Sequence, residues 1–310
     1  MPSCFRIVEE DIPPLLRLDR YVAEYLQVLS RSQIKVRRLR ASLNGKEVKI
    51  SRILKGGDKL ELRWEDEPET ELIPEDIPLD ILYEDPRTVV VNKAQGMVVH
   101  PGAGNRRGTL ANALLFRRRS REPQSTGTGL GLRPGIVHRL DKDTSGVMIA
   151  AYDDEALVFL AGQFKNGSVR KSYAALVAGT PRESSGRIEC RIARDPRDRK
   201  KFAPSFEQGK GKPSLTLYRV VRSWGTYSLL LLRPRTGRTH QIRVHLRSLG
   251  HPVLGDPLYG RPDPRFPGAT LMLHAKSLSI LLPGRREAKT FKTSLPSRFR
   301  EIMEALNSRP

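Results

Sequence analysis

The chain has 310 residues and carries 55 Lys and Arg against 34 Asp and Glu, a formal net charge of +21. That length supports one sizeable core plus a smaller module, and the excess charge points to a polyanionic partner, nucleic acid first among them. A membrane partner is disfavoured: no run approaches ~20 apolar residues, neither a basic amphipathic helix nor a lipidation signal is found, and the acidic opening MPSCFRIVEEDIPPL is unlike a secretory signal. Cys4 and Cys190 stand too far apart for a zinc pair, so two reduced thiols in a cytoplasmic protein are expected.

In chain order, residues 1–16 read as an N-terminal extension and 17–63 as a small unit. DRYVAEYLQVL (19–29) sets Val22, Tyr25, Leu26 and Leu29 on one helical face, and Ser30 or Ser32 caps a second helix, SQIKVRRLR. ASLNGKEVKIS then carries a hairpin turn at Asn44-Gly45, and GGDKLELRW alternates at Leu60 and Leu62. Acidic residues are almost absent from 31–57, so Arg31, Lys35, Arg37 and Arg38 fit a phosphate-binding patch better than a solvated face. Residues 64–78, acidic and Pro-containing, read as a linker.

The larger domain is expected over 79–310. ILYEDPRTVVVNKAQG reads as two strands around an Asp-Pro turn, and 117–134 as a mobile Arg/Gly/Ser/Thr-rich loop. DDEALVFLAGQFKNG predicts a helix with Ala156, Leu157, Leu160 and Phe164 on one side. SYAALVAGT, SLTLYRVV, YSLLLLRP and LMLHAKSLSIL read as strands, and TGRTHQIRVHLRSLG as a turn followed by a helix. Many strands with few helices indicate an α+β domain with a mixed sheet. Nothing in the chain demands a dimer, so a monomer is expected.

The chemistry-bearing segment is GIVHRLDKDTSGVMIAA, 135–151. Asp143 suits the turn that DTSG makes, but Asp141 adjoins apolar Leu140 and a cluster of cations, and partial burial would demand a cationic partner. Arg243 in TGRTHQIRVHL, flanked by Ile242 and Val244, is the candidate, a guanidinium that would keep Asp141 ionised. Tyr173, opening a strand, is either a core-edge residue or a stacking platform for a base. HPGAGNRRGT does not fit a dinucleotide fingerprint and GQFKNGSV lacks the Lys-Ser/Thr of a P-loop, so no nucleotide cofactor is expected. His240 and His245, five apart, are not a zinc pair.

GIVHRLDKDTSG, VRKSY, TGRTHQIRVHL and GHPVLGDPLYG, with GMVVHPGAGN, resemble the RluA/RluD family of RNA pseudouridine synthases over roughly residues 78–300. Residues 17–63, with RLD, LSRS, NGKEV and GGDKLEL, look like an S4 RNA-binding domain. The resemblance implies a largely antiparallel pseudouridine synthase sheet, an RNA substrate (large-subunit ribosomal RNA above all), and neither cofactor nor metal. It makes Asp141 the catalytic aspartate, Arg243 its basic partner, Tyr173 the ring that packs on uracil and helps take the C5 proton, and Arg139 the side chain that fills the stack left by a flipped uridine. His138 and Leu140 complete that loop, and Arg238 and His240 are further RNA-contact candidates. Two positions depart from the family pattern: Gly167 where Arg is common, and Leu39 where Gly is common. Two other readings stay open here, a non-catalytic RNA-binding assembly protein and a metal-dependent nuclease using Asp141 and Asp143.

Overall fold

Leu60 and Leu62 are buried while Lys59, Glu61 and Arg63 face solvent, the alternation of a strand with one wet face. The computed structural model, which describes residues 2–29, 33–34, 37–65, 72–102, 104–121, 135–205, 207 and 209–308, divides into two units, Met1–Glu71 and Leu72–Pro310. The first unit holds a four-stranded antiparallel sheet of β1 (Ser3–Ile7), β2 (Arg40–Leu43), β3 (Lys46–Val48) and β4 (Lys59–Arg63), in the order β1-β4-β2-β3. Asn44 and Gly45 both take positive φ, 52° and 81°, as a two-residue hairpin turn requires.

Three features of this unit differ from expectation. Residues 3–7, placed in an extension, form the edge strand β1; its apolar Phe5 and Ile7 point to solvent, so no inward alternation marked it. The first helix, α1 (Leu18–Arg20), continues as a wider turn over Tyr21–Tyr25 closed by Leu26 N to Tyr21 O. The wider turn rotates the inner face, so Tyr21 and Val22 are buried and Tyr25 is exposed. Of the second expected helix, Gln33 and Ile34 are helical, and Arg31 and Lys35 lie outside the described residues. Arg37 and Arg38 sit in a turn, with Arg38 paired to Glu65 at 3.3 Å. Leu39 is part of this unit's core.

The second unit is built on a ten-stranded sheet. In chain order its strands are β5 (Ile81–Glu84), β6 (Thr88–Lys93), β7 (Ser145–Ala151), β8 (Arg170–Ala178), β9 (Ser185–Arg194), β10 (Phe202–Ser205), β11 (Lys212–Ser223), β12 (Tyr227–Pro234), β13 (Leu273–Leu281) and β14 (Ala288–Lys292). The order is β10-β9-β11-β12-β8-β13-β7-β6-β5, with β14 also on β13. Every pairing is antiparallel except β13 with β7. The expected mixed, largely antiparallel α+β architecture is present. Among the described residues no helix is long and apolar enough to cross a membrane.

Among the described residues four helices accompany this sheet: α2 (Leu110–Arg121), α3 (Asp154–Asn166), α4 (Gln241–Ser248) and α5 (Ser297–Asn307). Residues 117–121, expected in a loop, extend α2, because Arg117 and Arg121, one turn apart, both reach Glu84 of β5; 122–134 lie outside the described residues. Ile73 and Glu75, expected in the linker, accept bonds from Asn112 and Gly108 of the second unit, whereas Trp64 packs in the first core. Asp153 caps α3 by accepting from Ala156 N at 2.7 Å, and Gly167 ends it at φ 77°. That left-handed position favours glycine over the arginine of the family pattern.

All seven residues of β7 are buried. Val147 and Ile149 pack with Ala156 and Leu160 of α3 on one face; Met148 and Ala150 pack with Leu114 of α2 and with Leu140 on the other. At the parallel pairing, Gly146 (φ 120°) lies against Ala275, whose carbonyl oxygen would be 2.2 Å from any added Cβ. Gly146→Ala is therefore expected to destabilise the second unit by about 3 kcal/mol or more. The check is the denaturant midpoint reported by Trp224 in a Trp64→Phe background.

Candidate active site

Asp141 sits at the turn between Ile136, which bridges to Ala150, and the start of β7. Leu140 is only 5 % exposed and packs into the core beside Met148, so its neighbours Arg139 and Asp141 are displayed outward. The turn is held from beneath. Thr144 N bonds to Asp141 O at 3.1 Å, Gly96 N to Lys142 O at 3.0 Å, and the Gln95 amide donates to Asp143 O at 3.0 Å and Leu271 O at 3.1 Å. Lys93, 1 % exposed, donates through Nζ to Ala94 O, Met97 O and Lys142 O at 2.8, 2.8 and 3.0 Å. Behind the turn, Ser145 Oγ bonds His274 Nδ1 at 2.8 Å and accepts from Arg298 Nη2 at 2.7 Å.

Arg243 approaches from α4, in which Gln241 through Leu246 are all buried. Its Nη1 donates to Asp141 Oδ2 at 3.2 Å, the pairing expected from sequence. A second acid, Asp256, holds the guanidinium side-on: Nε to Oδ2 and Nη2 to Oδ1, both 2.7 Å. Asp256 Oδ1 also accepts from Leu258 N and Tyr259 N, and its side chain is fully shielded from solvent, against 21 % exposure for that of Asp141. Burial alone would lower the Arg243 pKa, but the bonds and charges of Asp256 and Asp141 raise it above the ordinary arginine range. Arg243 is thus a fixed cation, anchored by Asp256 and presenting one N–H to Asp141.

His240 begins α4 in the left-handed region, φ 54°, which turns its ring toward the site. Nδ1 lies 2.9 Å from Tyr259 Oη, and Nε2 lies 3.9 Å from Asp141 Oδ2. Tyr259 Oη also accepts from Phe202 N at 2.8 Å, and the Tyr259 ring lies under the Arg243 guanidinium at 5.0 Å. With Tyr259 donating to Nδ1, the imidazole proton rests on Nε2, facing the carboxylate. Burial lowers the pKa of His240 and favours this neutral form.

Asp141, Arg243 and His240 line a cleft of about 480 Å³ together with Tyr173, Lys171 and Phe164. Tyr173 comes from β8; burial, and then the charge of Asp141, push its phenol well above the ordinary range. Arg139 and Arg238 also line the cleft, Arg139 exposed and Arg238 bonded through Nε to Pro213 O at 3.1 Å. His138 accepts the Ile149 N–H through Nε2 at 3.1 Å and stacks on Phe164 at 4.4 Å; burial pushes its pKa down to about 3. His138 and Leu140 therefore brace the loop.

The sequence reading missed Asp256, Lys93 and Lys171. GDPLYG was used only as part of a resemblance, although an acid inside a Gly-bounded turn is the residue type a buried arginine needs. Lys93 follows an apolar strand and looks like its polar end.

A family model described as RNA pseudouridylate synthase matches residues 87–248. Ribosomal large subunit pseudouridine synthase D of Borreliella burgdorferi is 43% identical over 290 residues, 92% of this chain and 87% of that protein. The protein of the same name from Xanthomonas campestris is 38% identical over 304 residues, 94% of this chain and 88% of that one. Among solved structures, human RNA pseudouridylate synthase domain containing 4 superposes with a TM-score of 0.60 at 26% identity, covering 74% of this chain and 93% of that one. The chain belongs to the RNA pseudouridylate synthase family and is an RNA pseudouridine synthase.

Two outcomes test this geometry. Asp256→Asn puts an amide against Arg243 Nε and leaves the guanidinium short of a buried counter-charge. The expected cost is ~3–5 kcal/mol of stability, with a loss of turnover, read by denaturant unfolding and by conversion assays on one preparation. Burial lowers Lys93 to about 8 from an ordinary value of 10.5, the charges of Asp143 and Asp141 acting against the shift and Arg298 with it. Between those values the unfolded chain binds the extra proton, so through this group stability rises with pH. Above about 8, however, the neutral amine has two N–H bonds for three carbonyls, and turnover is expected to fall while the unfolding midpoint does not fall through Lys93. A pH–rate profile checks this, and Lys93→Met should be slow at every pH and lack the alkaline limb.

Proposed function

We propose that the protein isomerises uridine to pseudouridine in large-subunit ribosomal RNA in the cytoplasm, with Asp141 as the reacting carboxylate. The observation that carries this reading is the contact between Asp141 and a guanidinium already anchored by Asp256, at the edge of a cleft that Tyr173 and Arg139 also line. The names of the relatives from Borreliella burgdorferi and Xanthomonas campestris support the ribosomal substrate.

The reaction breaks N1–C1′, turns the uracil and forms C5–C1′. It is an isomerisation, so no electrons are gained or lost overall. Asp141 acts in one of two ways. Either a carboxylate oxygen attacks the sugar carbon, or the carboxylate takes the C2′ proton so that a glycal forms. Both routes need the carboxylate form, and Arg243 Nη1 donates to its Oδ2 at 3.2 Å. Tyr173 packs against the uracil, and Arg139, exposed beside Asp141, fills the gap left in the RNA. Extruding the base costs a few kcal/mol, part of which that insertion offsets.

The segment 17–63 serves in this reading as an S4-like RNA-binding domain. Arg40, Lys46, Lys49, Arg52, Lys55, Lys59 and Arg63 are all exposed there, and exposed cations bind phosphates by releasing counterions. Asp141→Asn is expected to keep RNA binding and to lower pseudouridine formation by ~10⁴-fold or more. Tritium release from an rRNA transcript carrying 5-tritiated uridine measures it. An Asn variant that still converts uridine removes Asp141 from the chemistry.

A further inference from the structure

Of the cations that line the cleft, Arg243 is buried and Arg238, half-buried, is bonded through Nε to Pro213 O. Arg139, Lys165 and Arg235 are exposed at its rim, where water screens them and a phosphate can reach them. Lys171 is half-buried. It comes from β8, two residues before Tyr173, and residues two apart on a strand face the same side of the sheet. Its ammonium lies 5.9 Å from the centre of the Phe164 ring and 3.9 Å from where a Cβ on Gly237 would stand. Among the described residues no carboxylate pairs with it. Burial lowers its pKa and no neighbouring charge offsets that effect.

The charges around Asp141 make this placement consequential. Asp141 and Asp256 against Arg243 leave that network one negative charge in excess. When N1–C1′ breaks, the bonding pair departs with the uracil, and the negative charge spreads over N1, O2 and O4. C1′ is then either bonded to a carboxylate oxygen of Asp141 or part of a glycal whose C2′ proton has gone to Asp141. In either case Asp141 becomes neutral as the uracil becomes an anion, so the single excess negative charge moves from Asp141 onto the base. Arg243 stays held side-on by Asp256, Arg238 is tied through Nε to Pro213 O, and the rim cations stand in solvent. A base packed on Tyr173 lies on the Lys171 side of the strand.

We propose that Lys171 is a catalytic residue whose ammonium bonds a carbonyl oxygen of the departing uracil and offsets the charge released with it. A donor aimed at charge that develops during reaction lowers the barrier more than it tightens binding. The assignment rests on the reading of this cleft as the active site.

Lys171→Met, Lys171→Arg and Asp141→Asn are compared in the full-length protein on a 5-tritiated large-subunit rRNA transcript under single-turnover conditions. Loss of one such donor is expected to slow Lys171→Met by ~10²-fold. Its RNA affinity and salt dependence should match wild type, and Lys171→Arg should recover most of the rate. Should the Met variant lose its thermal transition, Lys171→Gln replaces it. A 5-fluorouridine transcript adds a readout that a structural role would not move. Fluorouracil is the better leaving group, so the Lys171→Met deficit should shrink when rearranged nucleoside is measured after digestion. A Met-variant rate equal to wild type, or weaker RNA binding with a salt slope lower by ~1 and an unchanged bound rate, overturns the assignment, the latter placing Lys171 on a phosphate. An active Asp141→Asn variant instead overturns the reading of the cleft, so the two failures are distinguishable.

Discussion

The site depends on one guanidinium held between two acids. Arg243 is buried with a 6 % exposed side chain, and a buried cation without counter-charge is costly. Asp256 answers that cost with two 2.7 Å bonds, and its own lone pairs are further satisfied by Leu258 N and Tyr259 N. Arg243 is therefore positioned without help from Asp141. The division matters for reactivity. If Asp141 were the sole partner of Arg243, any change at Asp141 during reaction would strand a buried charge. In the proposed mechanism, with Asp256 in place, Asp141 exchanges its contact with Arg243 for one with substrate while the guanidinium stays paired.

A carboxylate that reacts must also be held still. Its loop is tied on two sides: Leu140 sinks into the core over β7, and the carbonyls of Lys142 and Asp143 are gripped by Lys93 at the end of β6 and by Gln95 and Gly96 in the turn after it. The sheet behind is tightest at the same place. Gly146 lets β7 and β13 approach at their parallel pairing, next to Ser145, where Arg298 ties β7 to α5. Rigidity here comes from backbone acceptors and packing, which leaves Asp141, 21 % exposed, open to the cleft.

Net charge describes the partner, and burial sorts the cations by task. In the proposed reading, exposed arginines and lysines at the rim and across the first unit meet the phosphate backbone through screened, replaceable contacts. Arg243 and Lys93 are enclosed, and each has protein oxygens to bond. Lys171 belongs to neither group, since it is partly desolvated and has no acid of its own among the described residues, which fits its proposed task of meeting an anion of the substrate.

Much of this was legible in the amino-acid order because local periodicity reports local geometry. The α3 helix and its apolar face, the Asn44-Gly45 turn, the strands β8, β11, β12 and β13 and the largely antiparallel α+β class all follow from patterns spanning a few residues. The Asp141–Arg243 pair was inferable because both residues sit among apolar neighbours that demand a partner. Edge strand β1 and the last turn of α2 were not, because each is stabilised by groups distant in sequence: Lys59–Arg63 for one, Glu84 for the other. The same reason hid the rest of the site. Asp256, Lys93 and Lys171 are ordinary polar residues in the chain. Their tasks come from the desolvation and the through-space partners that folding assigns, and electrostatic energy depends on those distances and not on separation along the sequence.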